Sequence, residues 1–128
     1  MILLDTCTLL WLVMEPKSLS KPATAALRKS KGAILVSAVT AFEIGQKYAV
    51  GKLILPFQPN EWFDRACLAH GLTALPLTSD HAFAAASLPL LHRDPFDRLL
   101  IATATHADVP LLTPDPLIRQ YPTLATIW

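Results

Sequence analysis

Short apolar runs alternate with longer segments of helical pattern along this chain, and that alternation is the strongest constraint on its fold. The runs lie at positions 1–5, 33–37, 71–77 and 109–113 (MILLD, AILVS, GLTALPL, VPLLT). Continuous apolar runs of this length are typical of parallel strands that are covered on both faces. Helical patterns occupy the segments between and after them, at 7–15, 20–31, 38–50, 59–70, 79–87 and 95–107.

Strands that alternate with helices predict right-handed crossovers and a central, mostly parallel sheet. The sequence therefore predicts a three-layer α/β/α fold, in which TLATIW at 123–128 could add a final edge strand. The 128 residues suit a single domain, 1–128, and no repeat or linker divides it. Eleven prolines punctuate the elements, and Pro22, Pro95 and Pro116 are placed where helices are expected to begin.

Composition and charge exclude several classes of protein. Apolar residues make up 52 % of the chain and charged residues 16 %, so a folded core is expected and disorder is not. The net charge is only +1, but basic residues gather between 17 and 31, where they could meet phosphates or form a solvated helix face. Residues 7–14 are apolar but too short to cross a bilayer, and no basic segment precedes them. Two isolated cysteines fit a reducing compartment, so we expect a cytoplasmic protein with no membrane attachment.

Asp5 is the first carboxylate in a position that favours function. It follows the first predicted strand, and ligands of open parallel sheets bind beyond the carboxyl ends of the strands. The structural alternative is that Asp5 caps the helix that follows. Thr6 could fill that capping position instead, which slightly favours a functional role for Asp5.

Glu43 is the second such carboxylate. In the helix predicted at 38–50, it falls within an apolar stripe made by Val39, Phe42 and Val50. A buried carboxylate is costly unless it is paired or coordinated. An ion pair with Lys47, four residues on, would draw Glu43 to the edge of the stripe, but function is favoured over that alternative.

The segment HRDPFDRLLIATA, at 92–104, contains two aspartates with different predicted roles. Asp94 before Pro95 is typical of a helix cap and needs no function. Asp97 could be the acidic half of a capping box, but it also begins an inward-facing stripe that continues through Leu100, Ile101 and Ala104. Asp115 could cap a helix before Pro116, yet it too follows a predicted strand.

Asp5, Glu43, Asp97 and Asp115 could therefore meet at one end of the sheet. Four carboxylates close together would resist ionising together unless a cation were present. An all-oxygen set suits Mg²⁺ or Mn²⁺, which activates a water and neutralises charge on a phosphate. The four histidines are scattered and are interpreted as surface or helix-end residues, and no phosphate-binding glycine loop is present. The expected chemistry is metal-assisted phosphodiester hydrolysis.

Four motifs carry a resemblance to a known family. LLDT near the start, SAVTAFEI, HRDPFDRLLIATA and LLTPD resemble, in order and spacing, the PIN-domain family, and most of all the VapC-like toxins of bacterial type II toxin–antitoxin systems. The resemblance implies a PIN-like fold with an acidic catalytic and metal-binding site on the four carboxylates above, with Thr6 and Thr113 as flanking hydroxyl residues. It also implies a Mg²⁺- or Mn²⁺-dependent ribonuclease with an RNA substrate, a homodimer, and a cognate VapB-like antitoxin as partner.

Two alternatives remain open from the residues. A haloacid-dehalogenase-like phosphatase also has an aspartate after its first strand, but it needs a second aspartate where this chain has Cys7. The chain could instead be a non-catalytic interaction module, for example a co-repressor bound to a DNA-binding partner. The apolar helix predicted at 7–15 favours some partner, unless it is buried within the fold.

Overall fold

The computed structural model describes residues 1–128, which form five strands and six α-helices. The strands are β1 (Ile2–Leu4), β2 (Ile34–Ser37), β3 (Leu72–Leu75), β4 (Leu111–Leu112) and β5 (Thr126–Ile127). The helices are α1 (Thr6–Met14), α2 (Lys21–Lys29), α3 (Ala38–Ala49), α4 (Pro59–His70), α5 (Ser79–Ala86) and α6 (Pro95–Ala107). Short 3₁₀ helices lie at Pro16–Ser18 and Ile118–Gln120.

All five strands are parallel and form one sheet in the order β3-β2-β1-β4-β5. The predicted α/β fold with a parallel sheet is confirmed, and the C-terminal segment does add the edge strand β5. Because β1 lies at the centre and pairs with β4, with Leu4 beside Leu112, the residues after these two strands leave the sheet side by side. The topology thus brings residue 5 close to residues 113–115.

The sheet separates two apolar clusters, one on each face. Alternate strand residues point to opposite faces, so Leu4 and Val36 belong to one cluster while Leu3 and Leu35 belong to the other. The first cluster packs against α1, α2, α3 and α4, and the second packs mainly against α6. This arrangement explains why β1, residues Ile34, Leu35 and Val36 of β2, and β4 are continuous apolar runs rather than alternating with polar residues.

Side chains at the helix starts show why the helices begin where they do. Ser20 caps α2 ahead of Pro22, and Asp94 caps α6 ahead of Pro95, as the sequence predicts. The expectation for Pro116 is wrong, because it precedes a turn and a short 3₁₀ helix rather than an α-helix. The link between β4 and β5 contains only this 3₁₀ helix, Ile118–Gln120, and no α-helix.

Helix α1 is only partly enclosed. Thr6, Thr8 and Leu9 are buried, whereas the residues from Leu10 to Val13 are half-buried and Met14 is exposed. Part of the apolar surface of this helix is therefore not packed within the fold. No helix is both long and apolar enough to cross a membrane.

Candidate functional site

A pocket of about 410 Å³ opens at the carboxyl edge of the sheet, above β1 and β4. All four carboxylates that the sequence predicts line it. The complete lining is Asp5, Thr6, Cys7, Glu43, Lys47, Asp97, Pro114, Asp115 and Pro116. Because the strands are parallel, their carboxyl ends share this edge, and side chains of α3 and of the first turn of α6 add to it.

Asp5 caps α1 and faces the pocket at the same time. Its Oδ1 accepts a hydrogen bond from the Thr8 backbone N–H at 2.7 Å, and the residue is only 5 % exposed. Thr6 does not take over the capping position, contrary to the alternative drawn from the sequence. The structural and the functional interpretations of Asp5 are therefore compatible.

Glu43 is held by two neighbours. Its Oε1 accepts a hydrogen bond from the Thr6 hydroxyl at 2.6 Å, and its Oε2 lies 3.2 Å from the Lys47 ammonium. The predicted apolar stripe around it is wrong, since Phe42 and Val50 are 60 % and 63 % exposed. Glu43 instead lies beside the buried face of α3, with its charge directed towards the pocket mouth and Lys47.

The two aspartates of α6 differ as the sequence predicts. Asp94 is the N-cap, and its Oδ1 accepts from the backbone N–H groups of Phe96 at 2.8 Å and Asp97 at 3.4 Å. Asp97 lies in the first turn of α6, at the pocket, with Leu100 and Ile101 fully buried behind it. The inward stripe that begins at Asp97 is thus present.

Asp115 also has two roles. Its Oδ1 accepts from the Leu117 backbone N–H at 2.8 Å, which stabilises the turn after β4. Its backbone N–H donates to the hydroxyl of the fully buried Thr113 at 3.1 Å. These contacts orient the second carboxylate oxygen towards the pocket, where it meets a residue that the sequence did not single out.

That residue is His92, whose interpretation as a surface or helix-end residue is wrong. It is 8 % exposed, and its Nε2 lies 2.9 Å from Asp97 Oδ2 and 3.1 Å from Asp115 Oδ2. The candidate ligand atoms of His92, Asp97 and Asp115 all lie within 4.8 Å of one another. The spacing of the histidines along the sequence did not indicate this role, because the partners of His92 are carboxylates that only the fold brings close to it.

The electrostatics of the pocket oppose the ionisation of its carboxylates. Burial raises the pKa of Asp97 to about 7, with further upward contributions from Asp94, Glu43 and Asp115, while His92 acts in the opposite direction. Burial also raises the pKa of Asp5, against the hydrogen bonds of Thr113 and Thr8. A site that discourages negative charge on clustered carboxylates favours a bound cation.

The donor set fits a hard divalent cation. The pocket offers carboxylate and hydroxyl oxygens, which Mg²⁺ and Mn²⁺ prefer. Burial raises the pKa of the Cys7 thiol to about 11, so this side chain stays protonated and is a poor ligand for softer metals. Lys47 adds one positive group at the rim of the pocket.

Comparison with known proteins agrees with the fold and the motifs. Ribonuclease VapC22 of Mycobacterium tuberculosis is 29 % identical over 130 residues, which span 99 % of this chain and 98 % of that protein. The solved VapBC2 complex of Rickettsia felis, bound to a promoter DNA fragment, has a TM-score of 0.72 at 18 % identity, with 98 % of this chain and 97 % of that chain covered. A toxin–antitoxin complex from Klebsiella pneumoniae has a TM-score of 0.65 at 19 % identity, with 98 % and 97 % covered.

These structural similarities, at less than 25 % identity, concern the fold. The family model described as PIN domain matches residues 2–124, which include every residue that lines the acidic pocket. The match runs from β1 to the segment before β5. This chain belongs to the PIN domain family.

Proposed function

We propose that the protein is a divalent-metal-dependent endoribonuclease, and that it acts as the toxin of a type II toxin–antitoxin pair. The observation that carries the proposal is the convergence of four carboxylates from distant parts of the chain around one pocket in a PIN domain. The similarity to Ribonuclease VapC22 along nearly the whole chain supports RNA as the substrate. In this proposal residues 1–128 act as a single domain in the cytoplasm.

Asp5, Glu43, Asp97 and Asp115 are proposed as the metal-binding and catalytic residues. A bound Mg²⁺ or Mn²⁺ would supply activation of water and neutralise charge that develops on the scissile phosphate. Asp5 is held rigidly by its capping bond, so its carboxylate does not need to reorganise when the ion arrives.

The hydroxyl residues and the lysine at the site have supporting roles. The Thr6 hydroxyl orients Glu43, and the buried Thr113 hydroxyl fixes the turn that carries Asp115. Lys47, at the rim beside Glu43, is placed to contact an RNA phosphate without entering the carboxylate cluster. A bound metal ion and the Lys47 ammonium would together attract the polyanionic RNA to a pocket whose other charged groups are acidic.

The direct test is cleavage of single-stranded or looped RNA by the purified protein. We expect activity with Mg²⁺ or Mn²⁺ and none in EDTA. Hydrolysis by water does not use the 2′-hydroxyl as nucleophile, so the products should carry 5′-phosphate and 3′-hydroxyl ends. A 2′,3′-cyclic phosphate product, or full activity in EDTA, would exclude this mechanism.

The proposed partner is a small VapB-like antitoxin. The incompletely buried side of α1, from Leu10 to Met14, provides apolar surface for it. Expression of the protein alone should stop growth, and co-expression with the antitoxin should restore growth and yield a co-purified complex. A stable, active and non-toxic protein that captures no partner would contradict the toxin role. The proposed homodimer can be checked by light scattering on the same preparation.

A second candidate is a non-catalytic co-repressor. The solved complexes VapBC2 of Rickettsia felis and VapBC of Salmonella typhimurium, which share the fold, are both bound to DNA. A purely structural module would gain nothing from the clustered carboxylates, so it should show no tight coupling between Mn²⁺ binding and thermal stability. Membership of the PIN domain family leaves no support for the haloacid-dehalogenase alternative.

A further inference from the structure

The backbone of His92 is held by hydrogen bonds that do not involve its ring. Its N–H donates to the Tyr121 hydroxyl at 3.0 Å, and its carbonyl accepts from the Arg98 guanidinium at 3.2 Å. Tyr121 in turn donates to the Pro89 carbonyl at 2.7 Å. A side chain anchored in this way has a ring position that the surrounding fold determines.

The hydrogen bonds of the ring identify which nitrogen carries the proton. Nδ1 lies 3.1 Å from the backbone nitrogen of Asp94, whose N–H can only donate. Nδ1 is therefore an acceptor without a proton, and the single ring proton is on Nε2. The Nε2–H group hydrogen-bonds Asp115 Oδ2 at 3.1 Å, and Nε2 also lies 2.9 Å from Asp97 Oδ2, so both carboxylates lie against the same ring nitrogen.

The same geometry argues against His92 as a metal ligand. A histidine that binds a metal through one nitrogen normally donates from the other to a carbonyl or carboxylate. Here coordination through Nε2 would place the proton on Nδ1, directly opposite the Asp94 N–H. Two donors would then face each other in a nearly closed environment, and the Asp94 N–H would lose its acceptor.

We propose that His92 is a positioning residue that holds Asp115 through its Nε2–H donor and Asp97 through close contact with the same nitrogen, and that it is not itself a ligand of the metal. This inference rests on the proposed metal site and assigns to it a residue outside the four carboxylates. His92 links the start of α6 to the turn after β4.

The first experiment observes the ring directly, without any activity measurement. Long-range ¹H–¹⁵N correlation spectra of the full chain distinguish the two neutral tautomers and the imidazolium. We expect the Nε2–H tautomer for His92 both without metal and after saturation with Mg²⁺. A shift to the Nδ1–H form on Mg²⁺ addition would identify His92 as a ligand and overturn the proposal. An imidazolium in the metal-free protein would also overturn it.

The second experiment compares two substitutions with different reach. His92→Gln places an amide N–H where Nε2 was, whereas His92→Asn can accept from the Asp94 N–H but is too short to reach the carboxylates. We expect His92→Asn to weaken Mn²⁺ binding, measured by electron paramagnetic resonance, by roughly 10–100-fold. His92→Gln should recover most of that loss. Equal loss in both variants, or none in either, would contradict the positioning role.

Matched controls separate this inference from the proposed function. His106→Asn and His106→Gln make the same changes on an exposed helix end and should leave Mn²⁺ binding unchanged. If RNA cleavage is absent in the parent while Mn²⁺ binds and His92→Asn weakens it, the ribonuclease proposal fails and the role of His92 stands. If the parent cleaves RNA but the tautomer is wrong, only the role of His92 fails.

Discussion

Asp94 and Asp97 lie in the same helical turn, yet their surroundings give them different tasks. Asp94 uses its carboxylate on two backbone N–H groups at the start of α6. Asp97 faces the pocket, beside His92 and within the influence of Glu43 and Asp115. Negative charge is favourable at this end of a helix in both cases, so the helix alone does not distinguish them.

Replacing each aspartate should separate stability from catalysis. Asp94→Ala removes a cap and should lower the free energy of unfolding by about 0.5–2 kcal/mol, with cleavage largely retained below the melting range. Asp97→Asn keeps the shape but removes a charge at the proposed metal site, and should lower the cleavage rate by at least ~100-fold in a folded protein. Melting and RNA cleavage at fixed Mn²⁺ test both variants. A folded but inactive Asp94→Ala with a fully active Asp97→Asn would reverse the assignment.

Asp5 allows a sharper comparison, because one residue combines the cap and the proposed ligand. Asp5→Asn keeps an oxygen that can accept from the Thr8 N–H, so it should remain folded and lose cleavage to a similar degree as Asp97→Asn. Asp5→Ala should lose cleavage and also about 1 kcal/mol of stability through the lost cap. Thermal melting distinguishes the two. Equal melting temperatures for Asp5→Asn and Asp5→Ala would show that the capping bond contributes nothing.

Residue by residue, the four carboxylates were predictable, and Thr6, Thr113 and Lys47 were named beside them, whereas His92 was not. Asp5 and Asp115 follow apolar runs, and such positions lie at the carboxyl ends of strands once a parallel sheet is assumed. His92 has no such pattern, because its partners lie five and 23 residues away in sequence and meet it only through the fold. Glu43 was selected for a partly wrong reason, since the supposed stripe beside it is exposed at Phe42 and Val50.

At the scale of elements, Arg98 braces the segment between α5 and α6. Its guanidinium donates to four backbone carbonyls, those of Ala85, Leu88, Pro89 and His92, at 2.8 to 3.2 Å. The residue is 9 % exposed and has no carboxylate partner among its hydrogen bonds. Four carbonyls around one cation fix the path of residues 85–92, and therefore the position of His92.

Removing this brace should be costly. Arg98→Ala leaves buried carbonyls without a donor, and we expect a loss of about 3 kcal/mol in the free energy of unfolding. Arg98→Lys should recover only a minor part, because a single ammonium cannot reproduce the planar fork of donors. Denaturant unfolding measures both. Arg65→Lys, in an exposed pair with Glu61, is the control and should change stability by less than about 1 kcal/mol. Full stability of Arg98→Lys would refute the geometric argument.

The elements themselves were largely predictable from sequence. Every segment for which periodicity predicted a helix or a strand contains that element, although the helix start expected at Pro116 is absent. The short 3₁₀ helices at Pro16–Ser18 and Ile118–Gln120 were not predicted, since segments of three residues carry no periodicity. The failure at Pro116 has a related cause: a proline after an aspartate starts a turn as readily as a helix.

Over the whole molecule, the clustered carboxylates make stability depend on pH. The folded state raises the pKa of Asp97 from 3.8 to about 7, so between these values the folded protein binds more protons than the unfolded chain. The free energy of unfolding attributable to Asp97 therefore falls as pH rises from about 4 to about 7. The raised pKa of Asp5 acts in the same direction.

In EDTA, the melting temperature of the parent should therefore exceed that of Asp97→Asn by more at pH 5 than at pH 7.5. Mn²⁺ should stabilise the parent more at pH 7.5 than at pH 5, because protons compete with the ion at the lower pH. Thermal melting at both pH values, with and without Mn²⁺, gives all the comparisons needed. A stabilisation by Mn²⁺ that is greater at pH 5 would contradict the arrangement of charges described above.

The central position of β1 also determines when the pocket can form during synthesis of the chain. Asp5 directly follows β1, whereas the neighbouring strand β4 and the turn with Asp115 are synthesised more than 100 residues later. Thr8 illustrates the dependence, because its hydroxyl bonds the carbonyl of Leu112 across 104 positions of sequence. A nascent chain on the ribosome therefore cannot assemble the pocket until translation is nearly finished. Incomplete fragments released by stalled ribosomes would consequently lack the complete pocket.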